Sequence, residues 1–179
     1  SRAGPSCSQT ATTALLVFDM IDRICKSQPN CTGVMVPALA SLLARARKAG
    51  VFVLYSTKEP ESSKWMPEVA PAPGDPVVKS VGQDRFYSTD LDKTLKAKGI
   101  TTLILTGWKV SGSVVYTSVG ATLRGYTVVV PTDASLAATD YEVAIGQFQI
   151  LNQNSANATN EPLKPNASTL SRADMIVFQ

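Results

Sequence analysis

The chain has 179 residues, 44% of them hydrophobic and 17% charged, which supplies a full core for one domain without relying on disulfides. Its net charge of +3 is small and dispersed, which argues against a nucleic-acid partner, and its longest apolar runs are strand-sized, far short of a membrane span. It contains no histidine, which removes imidazole metal sites, the Ser-His-Asp triad and the Cys-His pair together.

Residues 1–13 are small and polar and read as a loose arm, with a single domain over 14–179. "ALLVF", 14–18, is a buried strand ending at Asp19. Over 34–48, Val34, Leu39, Leu42, Leu43 and Ala46 share one face and Arg45, Arg47 and Lys48 lie outside it, the pattern of an amphipathic helix closed by Gly50. "VFVLYST" is the second strand. Four of the eleven prolines fall in 67–76, so no helix or strand interior fits there. "VVKS" is a short strand carrying Lys79, and "TDLDKTLKAKG" a helix with Thr89 as its candidate cap. "ITTLILTG" is a central strand, 112–124 a helix, "TVVVPTDA" a strand and 139–151 a further helix. "SRADMIVFQ" closes the chain with a short strand. Continuous apolar strands alternating with helices predict a three-layer α/β/α sandwich around a mostly parallel sheet.

Three cysteines are too few and too scattered for a zinc site, and no other metal site or cofactor is read. Cys25 and Cys31 flank a short loop that a disulfide would close, leaving Cys7 without an assigned partner. Sequons begin at Asn30, Asn157 and Asn166, the last two in a polar stretch expected to be surface loop. Together these signals favour a secreted or lumenal glycoprotein, and no signal peptide is visible, as expected of a mature form. A cytosolic protein with buried thiols is the alternative.

In sheets of this kind ligands lie beyond the carboxyl ends of the strands. Asp19, Lys79 and Ser113 are the polar residues expected there. Each has a plainer reading: Asp19 as a cap, Lys79 as an edge-strand charge, Ser113 as a small residue that lets a helix approach the sheet.

Three stretches change the balance: "ALLVFDM", "GDPVVKSVGQDRFYSTDLDKTLKAKGITTLILTG" and "GWKVSGSVVYTSVGATLRGYTVVVPTDA". In order and spacing, from about residue 14 to 150, they resemble the isochorismatase-like hydrolases, also called cysteine hydrolases. The resemblance implies Asp19, Lys79 and position 113 as the site, with a cis peptide near Trp108-Lys109. It implies self-association, which sets the expectation of a homo-oligomer, most simply a dimer. It also implies a departure, because the family's amidases carry cysteine where this chain has Ser113. The nicotinamidase branch, which needs histidine ligands, does not fit.

Two routes follow for a small, acidic or cyclic substrate. In the first, Asp19 acts as general acid or base and Lys79 as electrostatic stabiliser, as in family members that protonate an enol ether. Lys109 and Arg85 then receive substrate carboxylates, while Trp108, Phe86 and Tyr87 wall the pocket. In the second, Ser113 is the nucleophile of an amidase or esterase, although an ionised aspartate is a weak base for an alcohol. A lyase or isomerase on the same site and a non-catalytic binding module are further alternatives. Lys109 and Arg85 as surface cations, and the aromatics as core, are the plainer readings.

Overall fold

A computed structural model describes residues 6–153 and 168–179. Strands are β1 (Ser6–Ser8), β2 (Thr13–Phe18), β3 (Phe52–Thr57), β4 (Val77–Lys79), β5 (Thr102–Gly107), β6 (Thr127–Pro131), β7 (Ser168–Ser171) and β8 (Ile176–Phe178). Helices are α1 (Asp22–Cys25), α2 (Val36–Lys48), α3 (Leu91–Ala97), α4 (Val115–Leu123) and α5 (Asp140–Asn152). Six strands form one parallel sheet in the order β4-β3-β2-β5-β6-β7. The expected α/β sandwich is therefore present. No helix among the described residues is long and apolar enough to cross a membrane.

The sheet is buried on both faces because its central strands carry apolar residues on both sides. In β2, Leu15 and Val17 enter one core with α2, while Ala14, Leu16 and Phe18 enter the other, following the two-residue period of a strand. The α2 stripe is Val36, Leu39, Leu42, Leu43 and Ala46. Val34 is exposed, because residues 31–35 form a π-helical turn that rotates it out of the expected stripe.

Two further expectations are corrected at the ends of the chain. Ser6–Ser8 is a strand, not a loose arm: it pairs in parallel with Ile176–Phe178, away from the main sheet. The strand that extends the main sheet beyond β6 is Ser168–Ser171, too polar to stand out as a strand in the sequence.

Cys25 and Cys31 form the expected disulfide, with Cα atoms 5.1 Å apart. Asn30 beside it is half-buried, and its Nδ2, the atom a glycan would occupy, donates to the Ala137 carbonyl at 3.1 Å. Asn157 and Asn166 lie outside the described residues.

Candidate active site

The sheet changes direction of winding between β2 and β5, which are neighbours although far apart in sequence. A crevice at the carboxyl ends of these strands is where open α/β sheets bind ligands. Asp19 leaves β2 there with φ of 46°, a left-handed conformation that aspartate tolerates better than most residues. Gly107 ends β5 with φ of 104°, and a Cβ on it would stand 2.1 Å from the Phe18 carbonyl oxygen. Glycine is thus required for the two strand ends to close. Across this contact the Trp108 amide donates to Phe18 O at 2.9 Å, and the following Trp108-Lys109 peptide is cis, as the resemblance implied.

Beyond the cis peptide, residues 110–114 make a turn kinked at Gly112, where φ is −128° and ψ −112°, that leads into α4. Ser113, Thr117 and Gly120 follow at helical spacing and face the loop between β4 and α3. Thr117 Oγ1 accepts from the Arg85 amide at 3.1 Å and donates to the Gln83 carbonyl at 3.2 Å. A Cβ at Gly120 would meet Asp84 Oδ1 at 2.7 Å. This face of α4 therefore seats loop residues 83–85 directly over the strand ends.

The seating carries Arg85 into the interior. It is fully buried, Asp19 is 6% exposed and Ser113 is 3% exposed. Arg85 Nη2 forms an ion pair with Asp19 Oδ2 and donates to Ser113 Oγ at 2.6 Å. Its guanidinium lies 5.5 Å from the centroid of the Phe18 ring. Burial pushes the Arg85 guanidinium below its ordinary value, opposed by the charge and hydrogen bond of Asp19. Guanidinium retains its proton under such a shift, so Arg85 is a fixed cation and not a proton shuttle.

Asp19 is surrounded by donors. Thr57 Oγ1 donates to Oδ1 at 2.8 Å and the Lys58 amide to the same oxygen at 3.2 Å. Ser113 Oγ lies 3.3 Å from Oδ2 and 3.0 Å from Gln83 Oε1, two acceptors for one hydroxyl proton. Every group touching the carboxylate can give a proton and none needs one from it.

Asp19 and Ser113 are thus brought together as expected, but the cation beside them is Arg85 and not Lys79. Lys79 sits on the edge strand β4, in register with Thr57, and is exposed, with Nζ donating to the Glu59 carbonyl. It lines a neighbouring cavity of about 240 Å³ together with Thr57, Ile21 and Trp65.

The remaining candidates separate. Lys109 is paired with Glu142 of α5, and its ammonium holds the Glu142 carboxyl below its usual range. Phe86 is a core residue, its ring stacked on Tyr126 at 5.8 Å with Arg124 4.7 Å from its centroid. Trp108 packs against the core on the α2 side of the sheet, and Tyr87 is exposed.

The sequence reading omitted Thr57, Gln83 and Thr117. Thr57 ends a strand adjacent to β2, and Thr117 lies one helical turn beyond Ser113, so both carried a positional signal. Gln83 carried none. Among the described residues no group of three or more His, Cys, Asp or Glu side chains is placed to hold a metal ion.

Residues 13–160 match the model of the isochorismatase domain. Among curated proteins, the chain is 28% identical to the ureidoacrylate amidohydrolase RutB of Methylobacterium radiotolerans, over 60% of each chain. It is 34% identical to the streptothricin hydrolase of Streptomyces noursei, over 52% of this chain and 41% of that one. The chain thus spans three-fifths or less of the length of these relatives. Among solved structures, an isochorismatase family protein from Burkholderia thailandensis superposes with a TM-score of 0.76 at 23% identity, over 97% of each chain. N-carbamoylsarcosine amidase from Thermoplasma acidophilum gives 0.71 at 23% identity, over 91% of this chain and 97% of that one. At these identities the likeness is one of fold.

Proposed function

This chain belongs to the isochorismatase family, and we propose that it is a hydrolase that cleaves a small-molecule amide or ester through Ser113. The observation that carries this reading is the placement of Ser113 Oγ between the Arg85 guanidinium, at 2.6 Å, and Asp19 Oδ2, at 3.3 Å. Arg85 stabilises negative charge as it develops on the serine oxygen, and Asp19 is the acceptor for the serine proton. Ser113 Oγ attacks the carbonyl carbon, its proton passes to Asp19, and the amine or alcohol leaves with a proton returned from Asp19. Water then hydrolyses the acyl group and restores the hydroxyl.

The enol-ether route is the weaker reading. It makes no use of the Ser113 hydroxyl that Arg85 contacts, which the serine route employs directly. A serine does not need Asp19 to be a strong base if the cation beside it lowers the energy of the alkoxide. Arg85 supplies that cation in direct contact with Ser113 Oγ, whereas Lys79 Nζ donates to the Glu59 carbonyl. The Arg85 Nε and Nη1 are buried without a hydrogen-bond partner. The relatives named as a ureidoacrylate amidohydrolase and an N-carbamoylsarcosine amidase make carbamoyl or ureido amides the first substrates to try. The Cys25–Cys31 disulfide supports an oxidising, extracellular or lumenal setting.

Turnover of a panel of N-carbamoyl amino acids and p-nitrophenyl esters tests the proposal. Ser113→Ala should cost about a thousandfold or more in kcat/KM on whichever compound is turned over. A loss of tenfold or less, as for one neutral hydrogen bond, would return the case to acid catalysis without a nucleophile.

A further inference from the structure

Three side chains reach the Ser113 hydroxyl: Arg85 Nη2 at 2.6 Å, Gln83 Oε1 at 3.0 Å and Asp19 Oδ2 at 3.3 Å. Arg85, Asp19 and Ser113 are buried, whereas Gln83 is an exposed residue. The Gln83 carboxamide thus stands between the serine and solvent. The cavity beside Thr57 is not lined by Ser113, so the hydroxyl does not open there instead. A Cβ built on Gly112 would lie 3.5 Å from Gln83 Oε1 and 3.7 Å from Nε2, which sets the carboxamide beside the kinked turn that presents Ser113. The Gln83 backbone is anchored separately, its carbonyl accepting from Thr117 Oγ1 at 3.2 Å. The side chain can therefore turn away while the loop stays seated.

A hydroxyl has one proton to give. The 3.0 Å contact to Gln83 falls at the end of the usual O–H···O range of roughly 2.5–3.0 Å, and the 3.3 Å contact to Asp19 falls outside it. At rest the Ser113 proton points to Gln83 and not to the carboxylate that must receive it. Building on the reading of Ser113 as nucleophile, we propose that Gln83 is a positioning residue that keeps the serine covered and unreactive until substrate displaces its carboxamide. Displacement has two effects. It opens Oγ to a carbonyl carbon, and it turns the hydroxyl proton towards Asp19.

The rate of phosphonylation of Ser113 by a small fluorophosphonate, read by peptide mapping, tests this. In that reaction the Oγ–P bond forms as the P–F bond breaks, the serine proton passes to Asp19 and fluoride leaves. Gln83→Met keeps the bulk and removes the acceptor. It should label about fivefold faster than wild type, the worth of one neutral hydrogen bond. Gln83→Ala also removes the cover, so it should be at least as fast and should gain most with a bulky fluorophosphonate. Both should keep the wild-type urea midpoint, as expected of an exposed side chain. Val81→Ala, exposed two residues away, should label at the wild-type rate. Loss of a residue that merely supported the loop would slow labelling. If one Gln83 variant fails to fold, the other decides. Ser113 labelled in wild type, but at an unchanged or lower rate in either folded Gln83 variant, overturns this inference and leaves the nucleophile standing. Ser113 unlabelled in wild type and in both variants overturns the nucleophile reading, and this inference with it.

Discussion

The Arg85 guanidinium donates to the Asp19 carboxylate and to the Ser113 hydroxyl from a single nitrogen, Nη2. Arg85 and Asp19 are both buried, so each compensates the other's charge. Removing one partner of such a pair strands the other in the interior, at a typical cost of about 3–5 kcal/mol. Arg85→Met should therefore lower the urea unfolding midpoint sharply, and Asp19→Asn should do nearly as much. The double variant should lose less than the sum of the two, because it leaves no stranded charge.

Lys79→Met separates the two cations. The residue is exposed and its ammonium rests on the Glu59 carbonyl, one strand away from Thr57. Stability should change by no more than about 0.5 kcal/mol. Steady-state kinetics should show kcat reduced by less than about tenfold, against the loss of about a hundredfold expected of the cation that stabilises the developing anion. A hundredfold loss would mean that Lys79 reaches the site during turnover.

The Cys25–Cys31 disulfide closes a loop with a sequence separation of 6, so its effect on the unfolded chain is small. Reduction, or the Cys25→Ser/Cys31→Ser pair of substitutions, should cost about 2 kcal/mol by the loop-closure relation. Denaturant titration with and without reductant measures this. A shift in intact mass of two hydrogens on reduction verifies the bond itself.

A pH dependence follows from the contact between Asp92 on α3 and Tyr126, which precedes β6. Burial alone would raise the Asp92 carboxyl, but hydrogen bonds from Lys96 and Tyr126 outweigh it and hold it below its ordinary 3.8. Burial, then the hydrogen bond and charge of Asp92, push the Tyr126 hydroxyl well above its ordinary 10.0. A depressed acid stabilises the fold above its unfolded value and loses that contribution as pH falls through the folded one. A raised phenol contributes fully below 10.0 and loses its contribution as pH climbs from there towards the folded value. Tyr126→Phe should flatten the alkaline limb of urea midpoint against pH and weaken the acid limb.

The fold was legible because its signals are local. Leu15, Leu16 and Val17 can only be buried on both sides, and Gly99 and Gly107 punctuate the chain where the elements turn. β7 was not legible, because "STLS" is polar and becomes a strand only through pairing with Val128–Pro131. Asp19 and Ser113 were legible as residues just past strand ends, and the motif resemblance joined them. Arg85 was named as a candidate but in a weaker role. Its place depends on tertiary contacts, namely Thr117 holding the loop and Gly120 leaving room for Asp84. Lys79 was legible as a strand residue, but not the direction of its ammonium, which donates to the Glu59 carbonyl while the residue lines the cavity beside Thr57.

The central claim is that Ser113 is a nucleophile activated between Arg85 and Asp19. Treatment with a fluorophosphonate, followed by peptide mapping of the segment from Val110 to Arg124, tests it without knowledge of the substrate. The account predicts a phosphonyl adduct on Ser113, absent from Ser113→Ala and formed far more slowly in Asp19→Asn. An unlabelled Ser113, in a preparation whose Ser113→Ala variant keeps a tenth or more of the hydrolytic rate, would contradict it.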